Sequence, residues 1–151
     1  MTVQPIPPGY HTITPYLIVS GLPGTIAFLE KVFDAKTTVA PMRRPDGTIM
    51  HTELQIGDSR IMMAEATEQW KPMPASIFLY VTNCDASYKR ALEGGASSLM
   101  EPADQFYGDR MGGVLDLAGN QWWVATHIED VSPEEMDRRK AGYLAAQTVP
   151  A

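Results

Sequence analysis

Cysteine is nearly missing from this chain of 151 residues: Cys84 stands alone, so no internal disulfide can form. That composition fits a reducing compartment, and the expectation is a cytoplasmic protein. No stretch is apolar enough for a membrane span, and the proline-rich residues 1–10 do not read as a signal peptide. Positive charge is also scarce. Twelve Lys and Arg face 18 Asp and Glu, a net charge of -6, which argues against nucleic-acid partners and anionic membranes. Only three histidines are present, so few metal-binding patterns are open. No glycine-rich phosphate loop appears. What remains is an ordinary globular composition, 44% hydrophobic and 20% charged.

The order of elements repeats. After an arm over residues 1–10, alternating apolar residues at 13–19 predict a strand. Pro23 then opens a helix carrying Ile26, Leu29, Val32 and Phe33 at helical spacing. Strands are predicted over 37–42, 49–56 and 60–65, separated by turns at Asp46-Gly47 and Gly57-Asp58. A linker over 67–75 follows, and the same order restarts. It gives a strand near 76–81, a helix capped at Asn83 or Asp85 with Tyr88, Ala91 and Leu92 inward, then strands near 97–101, 110–117 and 121–127. Gly112-Gly113 reads as permitting a bulge or close strand packing. Leu17-Ile18-Val19 and Leu79-Tyr80-Val81 match at an offset of 62, as do Gly57 and Gly119. The expected boundaries are an arm at 1–10, a βαβββ module at 11–66, a linker at 67–75, a second module at 76–130 and a helix and tail at 131–151. Ser132, Pro133, Glu134 and Glu135 form the start signature of that last helix. Its charged run at 137–140 reads as a solvated face.

Three segments carry a resemblance: TPYLIV at 14–19, MHTELQIGD at 50–58 and QFYGDRMGGVLDLAGNQWWVATHIED at 105–130. Over residues 8–135 the chain resembles the PhnB-like branch of the vicinal-oxygen-chelate (glyoxalase/bleomycin-resistance/dioxygenase) superfamily. It departs in having Asp116-Leu117 where Asp-Pro is usual. The resemblance implies an α+β fold, two paired βαβββ modules forming a cupped mixed sheet, and a homodimer. It leaves the function open, since the superfamily includes metalloenzymes and antibiotic-binding proteins.

The superfamily's enzymes hold a divalent metal with His and Glu side chains. By alignment those ligands fall at Thr14, Met62, Ser76 and Trp123. None is a usual ligand, so no metal and no cofactor are expected. Side-chain alternation turns Met50, Thr52, Leu54 and Ile56 toward the helix and puts His51, Glu53 and Gln55 on the other strand face. His51 and Glu53 then lie roughly 7 Å apart along the strand. They are either a relocated catalytic pair or a hydrogen-bonded polar pair. The same alternation collects Thr14, Tyr16, Ile18, Met62, Ser76, Phe78, Tyr80, Gln121 and Trp123 on the concave face, with Tyr107, Asp109 and Arg110 at its mouth. Large aromatics among a few polar groups describe a small-molecule pocket. Arg110 suits an anionic group, or pairs with Asp109 or Asp116 as structural glue. Cys84 reads as a buried structural thiol, and His127 with Glu129 and Asp130 as a turn cluster. Three functions stand open. The chain binds a small aromatic or partly anionic molecule without a metal, is an enzyme built on His51 and Glu53, or is a dimeric non-catalytic scaffold.

Overall fold

The computed structural model describes residues 2–147. Met1 and residues 148–151, the ends of the expected arm and tail, lie outside the described residues. The chain divides into two compact units. The first runs up to Ala75 and includes Asp116–Asn120, and the second takes Ser76–Leu115 and continues from Gln121.

In the first unit the order is β1 (Tyr16–Val19), α1 (Leu22–Phe33), β2 (Lys36–Arg43), β3 (Ile49–Ile56) and β4 (Ser59–Glu65). The sheet order is β1-β4-β3-β2, with β1 parallel to β4 and the other pairs antiparallel. Helix α1 begins with Pro in its first turn and ends at Asp34, which takes a left-handed φ of 55°. Glu65 closes its entry: the carboxylate accepts the backbone N–H groups of Gly21 at 3.0 Å and Leu22 at 2.7 Å. Leu22, Phe28, Leu29, Val32 and Phe33 from the helix, with Leu17, Val19, Leu54, Ile61 and Met63 from the strands, form the buried core. Each such side chain contributes about 1.5–3 kcal/mol of burial.

The second unit repeats the order: β5 (Ser76–Tyr80), α2 (Cys84–Glu93), β6 (Ser97–Asp104), β7 (Asp109–Leu115) and β8 (Gln121–His127). Its sheet order, β5-β8-β7-β6, matches the first, so the predicted repeat is present in topology as well as in sequence. Helix α2 is capped by Asn83, whose side chain accepts the Ala86 N–H at 3.0 Å. Helix α3 (Pro133–Gln147) follows, with Ser132 accepting the Glu135 N–H at 3.2 Å.

Several expectations shift. The first strand starts at Tyr16, and Ile13, expected within it, is 84% exposed. Tyr88 and Leu92 do not form the inner face of α2; Cys84, Ser87 and Ala91 do. Small residues let that helix lie close to its sheet, so the larger ones sit at its flank, where Tyr88 donates to Ser98 at 2.6 Å. Met50, expected against the helix, is half-exposed, and Ile49 is buried in its place. The cause is irregular pairing of β2 with β3, which shifts register around Met42 and Arg43. From His51 to Gln55 the alternation holds. No helix among the described residues is long and apolar enough to cross a membrane.

Candidate functional sites

In the first unit the register sets Tyr16 beside Met62 and Met62 beside Glu53, so strands β1, β4 and β3 bring these side chains to one face. Tyr16 Oη lies 3.1 Å from His51 Nδ1, and His51 Nε2 lies 2.8 Å from Glu53 Oε2. Tyr10 donates its hydroxyl to Glu53 Oε1. Arg60 stacks on the Tyr10 ring, 4.6 Å from its centre, and donates to Gln55 Oε1 at 3.0 Å. Glu53 is only 6% exposed. Burial pushes its carboxyl up, but hydrogen bonds from Tyr10 and His51 and the charge of Arg60 outweigh that and hold it below the ordinary carboxylate value. His51 and Glu53 are thus a bonded pair, and Tyr16 and Tyr10 extend it at either end. The sequence places Tyr10 in an extended arm. Instead a turn from Pro7 to Tyr10 sets its ring onto the unit, with Arg60 packed against Gly9.

In the second unit Ser76, Phe78 and Tyr80 alternate along β5, and Phe78 lies directly opposite Trp123 of β8. Phe78 is 46% and Tyr80 67% exposed, their rings 5.3 Å apart. The Trp123 indole is held at two points. Its Nε1–H donates to Ser76 Oγ at 2.9 Å, and Ser76 in turn donates to Gln121 Oε1 at 3.3 Å. Its six-membered ring lies across Gly113 of β7, where an added Cβ would stand 2.3 Å from two ring carbons. The close packing expected at this glycine is therefore the admission of a side-chain ring. Tyr107 lies with its hydroxyl 3.6 Å from Met111 Sδ, and burial pushes its phenol up.

Arg110 is the candidate that the structure places elsewhere. It is the second residue of β7, inside the strand expected near 110–117, and its side chain is taken up by the helix side of the sheet. Its guanidinium forks onto Asp85 of α2 at 2.7 and 2.9 Å and onto Asp104 at 3.0 Å. The partners differ from the expected Asp109 or Asp116, because alternation turns Arg110 toward the helix and Asp109 away from it. Asp109 is instead a buried hub: it accepts from Tyr80 at 3.0 Å and lies 2.8 Å from His127 Nδ1. His127 Nε2 lies 2.7 Å from Asp130. Asp116 closes the β7–β8 turn, accepting the N–H groups of Ala118 at 2.9 Å and Asn120 at 2.8 Å. Cys84 is buried, its Sγ donating to Val124 O at 3.3 Å, and burial pushes the thiol up.

The bonds to Asp130 and Asp109 raise the His127 imidazole above its ordinary value. A raised folded value means that its stabilisation is complete below the unfolded value, near about 6.5, and fades as pH rises through the folded one. The wild type should therefore lose more thermal stability than His127→Gln between mildly acidic and alkaline pH. Parallel melting curves for the two proteins would show the idea wrong.

Residues 9–124 match the family model of the Glyoxalase/Bleomycin resistance protein/Dioxygenase superfamily. The chain belongs to this superfamily. The uncharacterized protein Mb0911c of Mycobacterium bovis is 32% identical over 135 residues, covering 82% of this chain and 88% of its own. Among solved structures, TioX from Micromonospora sp. ML1 shares the fold with a TM-score of 0.64 at 22% identity, covering 78% of this chain and 99% of its own. A PhnB protein from Bacillus cereus does so at 0.61 and 17%, covering 77% and 99%.

The four positions expected to carry the superfamily's metal ligands hold side chains that do not suit a hard divalent metal. Thr14 donates its hydroxyl to His11 O at 3.3 Å, and Met62 offers a soft thioether. Ser76 takes the indole N–H of Trp123, a group with no lone pair to give. Among the described residues no group of three or more His, Cys, Asp or Glu is arranged to hold a metal ion.

Proposed function

We propose that this superfamily member binds a small, flat organic molecule against the aromatic sheet face of its second unit. The observation that carries this is Trp123, an indole fixed by Ser76 and Gly113 beside the exposed rings of Phe78 and Tyr80. Exposing large rings to water has a cost that a ligand would recover by stacking, and a ring already held in place loses little freedom on binding. Ser76, Gln121 and Tyr80 supply polar groups at the margin. Arg110 is committed to Asp85 and Asp104, so a neutral aromatic suits this face better than an anion.

Titration of a panel of planar aromatic compounds, followed by tryptophan fluorescence, tests the idea. The expected result is saturable quenching that Trp123→Phe abolishes and Trp70→Phe preserves. Gly113→Ala should weaken binding by about tenfold, about 1.4 kcal/mol, since its methyl would occupy the place of the indole and move the stacking surface. Quenching that survives Trp123→Phe, or a panel with no response, defeats the proposal.

A further inference from the structure

The first unit holds a group of side chains that the aromatic face does not use. Glu53, once ionised, can only accept hydrogen bonds, so His51 must present a proton at Nε2. In the neutral ring the other nitrogen, Nδ1, then carries the lone pair, and Tyr16 must donate to it across 3.1 Å. The order is hydroxyl, imidazole, carboxylate. This is the arrangement by which a base activates a hydroxyl while a third group fixes the ring. Burial runs the right way along it. Glu53 is 6% exposed, His51 intermediate and Tyr16 49% exposed, so the orienting end is inside and the hydroxyl meets solvent. Tyr10 and Arg60 secure the far side of Glu53, and Arg60 is itself bonded to Gln55.

We propose that Tyr16, His51 and Glu53 form a general-base site that takes the proton of an acidic hydroxyl, a phenol or an enol, bound against the sheet face of the first unit. The ligand O–H bond breaks and its proton joins Tyr16 Oη. The proton already on Tyr16 passes to His51 Nδ1. The ligand keeps the electron pair as phenolate or enolate, and the imidazolium formed is opposed by the Glu53 carboxylate. One proton has moved from ligand to His51, with no other reactant. Tyr16 is the group in contact with the ligand, while His51 acts through it and Glu53 positions the ring.

The probe is 4-nitrophenol, whose phenolate is yellow, mixed with the full-length protein at a pH where half the free compound is ionised. Binding should raise the phenolate-to-phenol ratio of the bound compound by about tenfold, one unit in its apparent pKa. Tyr16→Phe and His51→Phe, checked for native circular dichroism, should remove the shift, and Glu53→Gln should reduce it. All variants are compared in a Trp123→Phe background, which removes the stacking surface proposed for the second unit, so that the probe reports the first unit's site alone. The proposal is overturned if the compound does not bind or binds with an unchanged ratio. It is equally overturned if the shift survives His51→Phe. Nitrogen-15 NMR of the wild type gives a check that needs no variant: an Nε2–H tautomer for His51 supports the relay, and an Nδ1–H tautomer overturns it.

Discussion

Trp122→Ala should cost about 3–5 kcal/mol of folding stability, while Trp123→Ala, one residue along, should cost far less and remove the response to aromatic ligands. The two tryptophans are neighbours on β8 and point to opposite faces of the sheet. Trp122 is fully buried, the largest such side chain among the described residues, between Ile77 of β5 and Val114 of β7 in the register. Its removal leaves a cavity that a close-packed sheet-and-helix layer cannot collapse to fill. Trp123 lies on the other face, only partly covered, and its indole is held by one hydrogen bond and one glycine. Chemical denaturation of both variants measures the first difference, and ligand-induced quenching in a folded Trp123→Ala measures the second. Equal losses of stability would mean that Trp123 is a core residue and that the second unit's sheet has no free aromatic face.

That contrast is legible in the amino-acid sequence, because Trp122 and Trp123 fall on opposite sides of an alternating strand. The repeat is legible too, from two turn glycines and two strand triplets at a common offset. So is the shared face of His51 and Glu53, which depends on strand period alone. What escapes the sequence depends on contacts between distant parts of the chain. Tyr10 follows a proline-rich stretch that gives no sign of folding back, and only Arg60 and Glu53 explain its place. Arg110 stands next to a loop in sequence, and its partner Asp85 lies 25 residues away on α2. The Asp109–His127 pair is an intermediate case. With the turn closed between Leu115 and Gln121, counting six residues back along each strand pairs Asp109 with His127, as the ladder shows. The register is therefore countable, although the burial of Asp109 beneath Tyr80 is not.

Glu53→Ala should destabilise the protein by about 1–3 kcal/mol near neutral pH and flatten its loss of stability in acid. The side chain is 6% exposed and serves two donors, Tyr10 and His51. Deleting it takes the carboxylate acceptor from a phenol O–H and an imidazole N–H on half-buried side chains, and the cost is that of two lost charge-assisted hydrogen bonds. The pH dependence has a definite sign. The Glu53 carboxyl titrates below its ordinary value in the folded protein, so between the folded and unfolded values the unfolded chain binds the extra proton. Its stabilisation is therefore complete above the unfolded value and is lost as pH falls through the folded one. The wild type should lose this increment on acidification, and the variant has none to lose. Tyr10 gives a second readout. Without Glu53 its hydroxyl has lost its acceptor and only the Arg60 stacking remains, so proteolytic cleavage within residues 2–9 should accelerate relative to the rest of the chain. If Glu53→Ala instead tracks the wild type from acid to neutral pH, with the arm equally protected, then Glu53 does not anchor Tyr10, and the buried end of the Tyr16–His51–Glu53 relay is not held in place.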